Sequence, residues 1–459
     1  MTAEPSTEPQ KPAPVASSTL LRTLMQPRIL ALIAIIVLAV GLRLAWIGYV
    51  SPNPSDGRMD DTLFYDRAGW SLAQNRGYLN FSGYPTAQWP PAYPFLLAGI
   101  YKAFGHNITA PKVVNALAGG LTCLLIYLIA ARVFDRRVGL LAAFMFAIFP
   151  GQLFWSTLLM TESLTPALLC LILLLFMSWV IERRDAGPLR HAILGATFGI
   201  LVLARGEGPV LVLGALVIWR IVAPSWRQWA KEASVFTAVA VLVVVPWTIR
   251  NAISMHAFIP VMSAAGHTAL AGHQSDPYSI QGLFPEAKIQ EKYADVPYPE
   301  REIKVENEAM RTAISWAVHH PLEESYYPFV KFYRFFASDA DAVGWVNSWK
   351  PGGTLPAMLG PRAKDFFSTV ANAYYITLMV IAGLSVPLWF SIKDKHKLLL
   401  ILLVLGWLMP HLLLFPTGRY HTALSPVFTL WAAAGLVFAF DLLRRRWQQR
   451  GVAEVRTSL

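Results

Sequence analysis

Charge is scarce in this chain. Of its 459 residues, 15% are Asp, Glu, Lys or Arg and 55% are hydrophobic. A soluble protein of this length carries closer to a quarter charged residues, so a soluble globular fold is excluded. Cysteine is scarcer still. Cys123 and Cys170 both lie within apolar runs, which excludes a disulfide framework and a cysteine-built metal site. HExxH, zinc-type His/Cys spacing, GxxxxGK[ST] and GxSxG are also missing. With them go the zinc-hydrolase, P-loop and α/β-hydrolase chemistries that those patterns support. No internal repeat is visible, which disfavours a transporter built from two related halves.

What the chain has instead is apolar blocks of roughly 17–24 residues, each about one bilayer thickness of helix. They predict an all-α integral membrane protein with about ten transmembrane helices. The predicted spans cover 28–50, 111–133, 138–153, 164–181, 190–204, 207–222, 232–249, 370–391, 397–415 and 420–442. Residues 1–27 read as a disordered tail, and the first span as an uncleaved signal anchor. The formal charge of +11 does not point to nucleic acid, because no basic run is interleaved with aromatics. The basic residues follow the positive-inside rule instead. Arg132, Arg136, Arg137, Arg183, Arg184, Arg190, Arg220, Arg227, Lys231, Lys393, Lys395, Lys397 and Arg444–Arg446 all fall on one side when ten spans are drawn. That side is predicted to be the cytoplasm, with both termini there.

Two segments on the opposite side are then too long for simple turns. The first outer loop is 51–110, and a longer outer loop, 251–369, joins spans seven and eight. The N-terminal module 28–250 and the last spans, 370–443, flank the long loop, and 444–459 is a basic tail. Phe64, Ala68 and Leu72 recur every four residues, a helical stripe suited to lying flat at the membrane interface. A second such helix is predicted over 93–104, started by Pro90 and Pro91. A charged helix is predicted over 299–320. The aromatic run 326–336 reads as membrane-facing.

Polar residues gather at the outer ends of the spans. Asp60 and Asp61 follow the first span, and Asp61 and Tyr65 share a face at i, i+4 spacing. A carboxylate there serves as a general base or as a helix cap, and the residues alone leave the two readings equal. Glu162 stands before the fourth span, where it would also complement the helix dipole. Arg205 and Glu207 lie two apart in a tight turn and can satisfy one another. Arg250 ends the seventh span, and Arg419, Tyr420 and His421 open the last. Any one of these arginines reads best as snorkelling to the interface. Together, Arg205, Arg250, Arg419 and His421 on a side where few cations are expected read as a phosphate site.

The order of these features resembles the polytopic C-type glycosyltransferases. The resemblance rests on the acidic pair, the WPPAYP segment at Trp89–Pro94, the acid before the fourth span, the R-x-E turn, PWTIRN and the terminal Arg419-Tyr420. It is to the bacterial branch of the protein O-mannosyltransferase and lipid A aminoarabinose transferase family. It implies an inverting transfer of a sugar from a polyprenyl-phosphate donor to an envelope glycolipid, glycan or protein on the outer face. It further implies that Asp60 or Asp61 is the catalytic acid of the first loop and Glu162 the second outer acid. Arg250 and Arg419 then stand near the lipid phosphate, while Tyr65, Trp89, Tyr93 and Tyr420 are candidates for the sugar or acceptor pocket. Aminoarabinose transferases carry Glu-Lys where this chain has Gln88-Trp89, which argues against aminoarabinose transfer to lipid A. No obligatory divalent metal is predicted; Asp60, Asp61 and Glu162 are the residues that would hold one. The rival readings are a non-catalytic polyprenyl-phosphate carrier or flippase, and a ligase using a pyrophosphate-linked glycan.

Overall fold

A computed structural model of the chain describes residues 26–53, 60–183, 187–275, 283–347 and 358–457. The side chains of Asp60, 283–285 and 450–457 lie outside that description, as does the tail 1–25. Every predicted span coincides with helix. Seven helical stretches are long and apolar enough to cross a membrane: Pro27–Tyr49 (α1), Thr109–Val133 (α4), Thr161–Ile181 (α7), Trp226–Met255 (α10), Pro361–Trp389 (α16), Lys395–Leu413 (α17) and Gly418–Gln449. The chain is thus an all-helical, multi-pass membrane protein, with seven such helices among the described residues rather than the ten expected.

The other three are shorter, for local reasons. The span expected at 138–153 is Arg136–Ala147 (α5) followed by Pro150–Trp155 (α6). Pro150 has no N–H to continue the α5 ladder and restarts the helix instead. Pro188–Ala204 (α8) and Gly208–Val222 (α9) have 17 and 15 residues, fewer than the roughly 20 that cross a hydrocarbon core. Between them lies the Arg205–Glu207 turn.

Polar side chains start several helices. Asp135 accepts from the amides of Arg137 and Val138 at α5, Ser225 from Gln228 at α10, and Asp394 from His396 and Lys397 at α17. Each satisfies donors that the first helical turn leaves open. The same end of the bundle gathers the basic loops. Glu182 lies 3.7 Å from Arg132 and 3.3 Å from His396. Arg183 pairs with Glu232 at 3.0 Å and Arg137 with Asp441 at 2.8 Å.

The opposite end carries the loops. Asp60–Ala73 (α2) and Ala92–Phe104 (α3) pack closely, since a Cβ on Gly69 would lie 2.6 Å from the Leu97 Cβ. The stripe expected at the membrane surface turns inward: Phe64 and Ala68 are buried. The cause is local, because the Phe64 ring stacks on Trp89 at 3.9 Å and has Tyr78 and Phe81 at its edges. The long loop folds as Ala265–Gly272 (α11), Leu283–Lys292 (α12), Glu300–His319 (α13), Pro321–Phe336 (α14) and Asp341–Asn347 (α15). On α14, Leu322, Tyr326, Phe329 and Tyr333 form an exposed stripe, and Tyr327, Lys331 and Phe335 a buried one. A 3-10 turn over Gly418–Leu424 leads into Ser425–Thr457 (α18).

Candidate active site

Four sequence-distant segments meet at one end of the bundle in one chain of charges. Asp61, in the first turn of α2, accepts from Arg419 Nη1 at 2.8 Å. Arg419 Nε lies 4.0 Å from Glu162 Oε1. The same Glu162 oxygen lies 3.5 Å from Arg205 Nη1, which also donates to Thr161 Oγ1 at 3.0 Å. Arg205 then forks onto Glu207, Nε to Oε2 at 3.3 Å and Nη2 to Oε1 at 3.2 Å, and Glu207 reaches His411 at 3.2 Å. Three acids and two arginines thus alternate, and each charge has an opposite neighbour. Such pairing is what makes their burial tolerable.

The two ends of this chain differ. Glu162 and Arg205 are buried, and Arg205 spends its donors on Glu207, Thr161 and Glu162. Burial opposes the charge of Glu207, but Arg205 and His411 outweigh it and hold the carboxyl well below the usual range. Arg205 is therefore an anchor, as the adjacent Glu207 had suggested. Asp61 and Arg419 keep about a fifth of their side-chain surface exposed. Arg419 uses only Nη1 in a side-chain hydrogen bond among the described residues, so its fork has donors to spare.

Aromatic rings surround the pair. The Arg419 guanidinium lies 4.9 Å from the Trp345 ring and 5.3 Å from Tyr420, and Arg205 lies 5.6 Å from Tyr420. Tyr65 meets Tyr93 edge-on at 5.3 Å. Burial, with Asp61 and Glu162 nearby, pushes the Tyr65 phenol above its ordinary range, so it faces the site as a neutral hydroxyl. Trp89 lies one ring further out, on Phe64. Phe81, edge-on to both, lines a cavity of about 80 Å³ that has Asn80, Ser82, Gln88, Tyr298, Glu302 and Glu306 in its wall.

Two predicted phosphate contacts are placed elsewhere. Arg250 donates to the carbonyls of Thr86 at 2.6 Å and Tyr78 at 2.7 Å, and lies over Trp247. It pins the segment from Tyr78 to Thr86 to α10. His421 is fully buried, with Nε2 3.0 Å from Asp339, Nδ1 2.8 Å from the Phe335 carbonyl, and its face on Tyr375. Among the described residues no three His, Cys, Asp or Glu side chains gather as a metal set, and Arg419 stands between Asp61 and Glu162. The Asp60 side chain lies outside the described residues. His411, Asp341 and Trp345 were not foreseen, because they reach the site from segments with no local motif.

Residues 88–249 match the family model described as dolichyl-phosphate-mannose-protein mannosyltransferase. An undecaprenyl phosphate-alpha-4-amino-4-deoxy-L-arabinose arabinosyl transferase of Pseudomonas paraeruginosa is 29% identical over 194 residues, 39% of this chain and 32% of that protein. The archaeal oligosaccharyltransferase AglB of Archaeoglobus fulgidus, solved with an inhibitory peptide and a dolichol-phosphate, superposes with TM-score 0.54 at 16% identity. That match covers 93% of this chain and 52% of AglB. The same enzyme tethered to an acceptor peptide gives TM-score 0.54 at 17% identity, over 92% and 51% of the two chains. This chain spans about a third of the curated relative and about half of the solved one. Sequence match and fold point the same way: the chain is a polytopic membrane protein that shares the fold of the Archaeoglobus fulgidus oligosaccharyltransferase, and its residues 88–249 are similar to the dolichyl-phosphate-mannose-protein mannosyltransferases.

Proposed function

We propose that the protein is an inverting glycosyltransferase that moves a sugar from a polyprenyl-phosphate donor to a hydroxyl or amine of an envelope acceptor, on the outer face of the membrane. The observation that carries this reading is the Asp61–Arg419 pair: one carboxylate and one guanidinium with donors to spare, half-open at the end of a membrane bundle. Arg419 meets the phosphate that leaves, and Asp61 takes the proton of the acceptor. The bond between the anomeric carbon and the phosphate oxygen breaks, and its electron pair stays with the polyprenyl phosphate. The acceptor oxygen or nitrogen forms the new bond from the opposite face, which inverts the centre, as in inverting glycoside hydrolysis. A phosphate leaving group needs charge stabilisation more than a proton, which suits an arginine.

Glu162 and Arg205 orient Arg419 rather than react. Tyr65, Tyr93 and Tyr420 supply rings and hydroxyls for a sugar. The family match and the lipid phosphates in the names of the relatives support a lipid-linked donor. Purified protein in nanodiscs, supplied with polyprenyl-phosphate sugars and cell-envelope extract, should release polyprenyl phosphate and glycosylate an acceptor. A non-catalytic carrier would bind the lipid, release nothing, and tolerate Asp61→Asn.

A further inference from the structure

Arg419 is held by more than its partners in the charge chain. Its backbone N–H donates to Asp341 Oδ2 at 2.8 Å, and Trp345, one turn on in α15, faces its guanidinium. Two residues along, His421 meets Asp339, so the acids at 339 and 341 grip alternate residues of the Gly418–His421 turn. A carbonyl can only accept, so His421 Nδ1 carries hydrogen toward Phe335. The gripping turn is itself tied down: Asn372 of α16 accepts from the Asp339 amide at 2.8 Å and from Ser338 Oγ at 3.1 Å. Gly418 permits the approach, because a Cβ there would collide with the Ser338 carbonyl and lie 3.1 Å from Asp341 Oδ2.

We propose that Asp341, Trp345 and the Asp339–His421 pair are positioning residues: they form a clamp through which the long outer loop sets the place of Arg419 against Asp61 and Glu162. His421 thus serves the site through the backbone rather than by touching phosphate. Only the clamp's effect on the lipid rests on the donor reading above; the clamp itself is a statement about the position of a backbone.

The test separates the two. Full-length protein carrying Asp61→Cys and Arg419→Cys is treated with a short bis-maleimide; the native Cys123 and Cys170 are buried. Cross-linking should fall about fivefold or more when Asp341→Ala is added, and persist with Asp341→Asn, whose amide oxygen accepts the same bond. Gly418→Ala, which pushes the turn off Ser338, is a second arm should Asp341→Ala not fold, with the same loss expected. Equal cross-linking in the parent and in whichever of these two variants folds would overturn the clamp. With Arg419 intact, Asp341→Ala should weaken binding of undecaprenyl phosphate about tenfold, and Asp341→Asn should not. If the unmodified protein ignores undecaprenyl phosphate, the donor reading fails, and the cross-link still decides the clamp.

Discussion

In the proposed reaction Asp61, held by Arg419 at 2.8 Å, is the base. Asp61→Asn should therefore lower turnover by about 10²–10⁴-fold, read as polyprenyl phosphate released, while Asp60→Asn stays near wild type; the reverse pattern would exchange their roles. Arg419→Lys puts a point charge where a fork faces Asp61 on one side and Glu162 on the other. Donor KM should rise about 10–100-fold, the scale of a lost charge-assisted hydrogen bond. Glu306 offers a pH test. Burial pushes its carboxyl up to about 7, against the lowering effect of His267. The folded protein then holds a proton that the unfolded chain has released, so stability falls as pH rises through about 7. Thermal unfolding should show wild type losing stability between pH 5 and 8, by on the order of 1–3 kcal/mol, and Glu306→Gln losing less. A parallel loss in both would remove Glu306 as the cause. At this scale the sequence was legible where partners are close in the chain, as with Arg205 and Glu207. It was silent where they are far apart: nothing in FPTGRYH announces Asp339 and Asp341, some eighty residues earlier.

The helices are another matter, because their signals are local. Asp135, Ser225 and Asp394 stand where helix caps belong, and every expected span is helical. Two inferences from helical pattern did not hold, each for a physical reason. An apolar run does not reveal that Pro150 divides it. A stripe such as Phe64, Ala68 and Leu72 shows that one face is covered, but not whether by lipid or by Trp89. Close helix contacts follow small residues instead. On α8, Gly195 and Gly199 face α10: a Cβ at Gly195 would collide with the Phe236 carbonyl, and one at Gly199 would lie 2.7 Å from Val243 Cβ. Small residues one turn apart let helices in lipid approach closely. Gly195→Leu should separate α8 from α10 and cost about 1–3 kcal/mol, seen as an earlier thermal unfolding in detergent. Because α8 ends at Arg205, donor KM should rise too. Unchanged stability would show that the two helices tolerate separation.

Across the whole molecule, one end collects basic loops around Glu182, Glu232 and Asp441, and the other collects the charge chain from Asp61 to His411. The basic loops and the charge chain thus lie at opposite ends of the bundle. Positive-inside bias assigns the basic end to the cytoplasm, and the proposed reaction requires that choice, since it places the acceptor outside. Both can be tested together. Arg76 follows α2 at the site end, and Arg227 opens α10 at the basic end; both are exposed. Cys123 and Cys170 are buried and give little background. In intact cells a membrane-impermeant maleimide should label Arg76→Cys at once, and Arg227→Cys only after permeabilisation. The opposite order would turn the molecule over. The donor phosphate and Asp61 would then face the cytoplasm, and transfer to an outer envelope acceptor would be ruled out even if every residue of the site proved necessary.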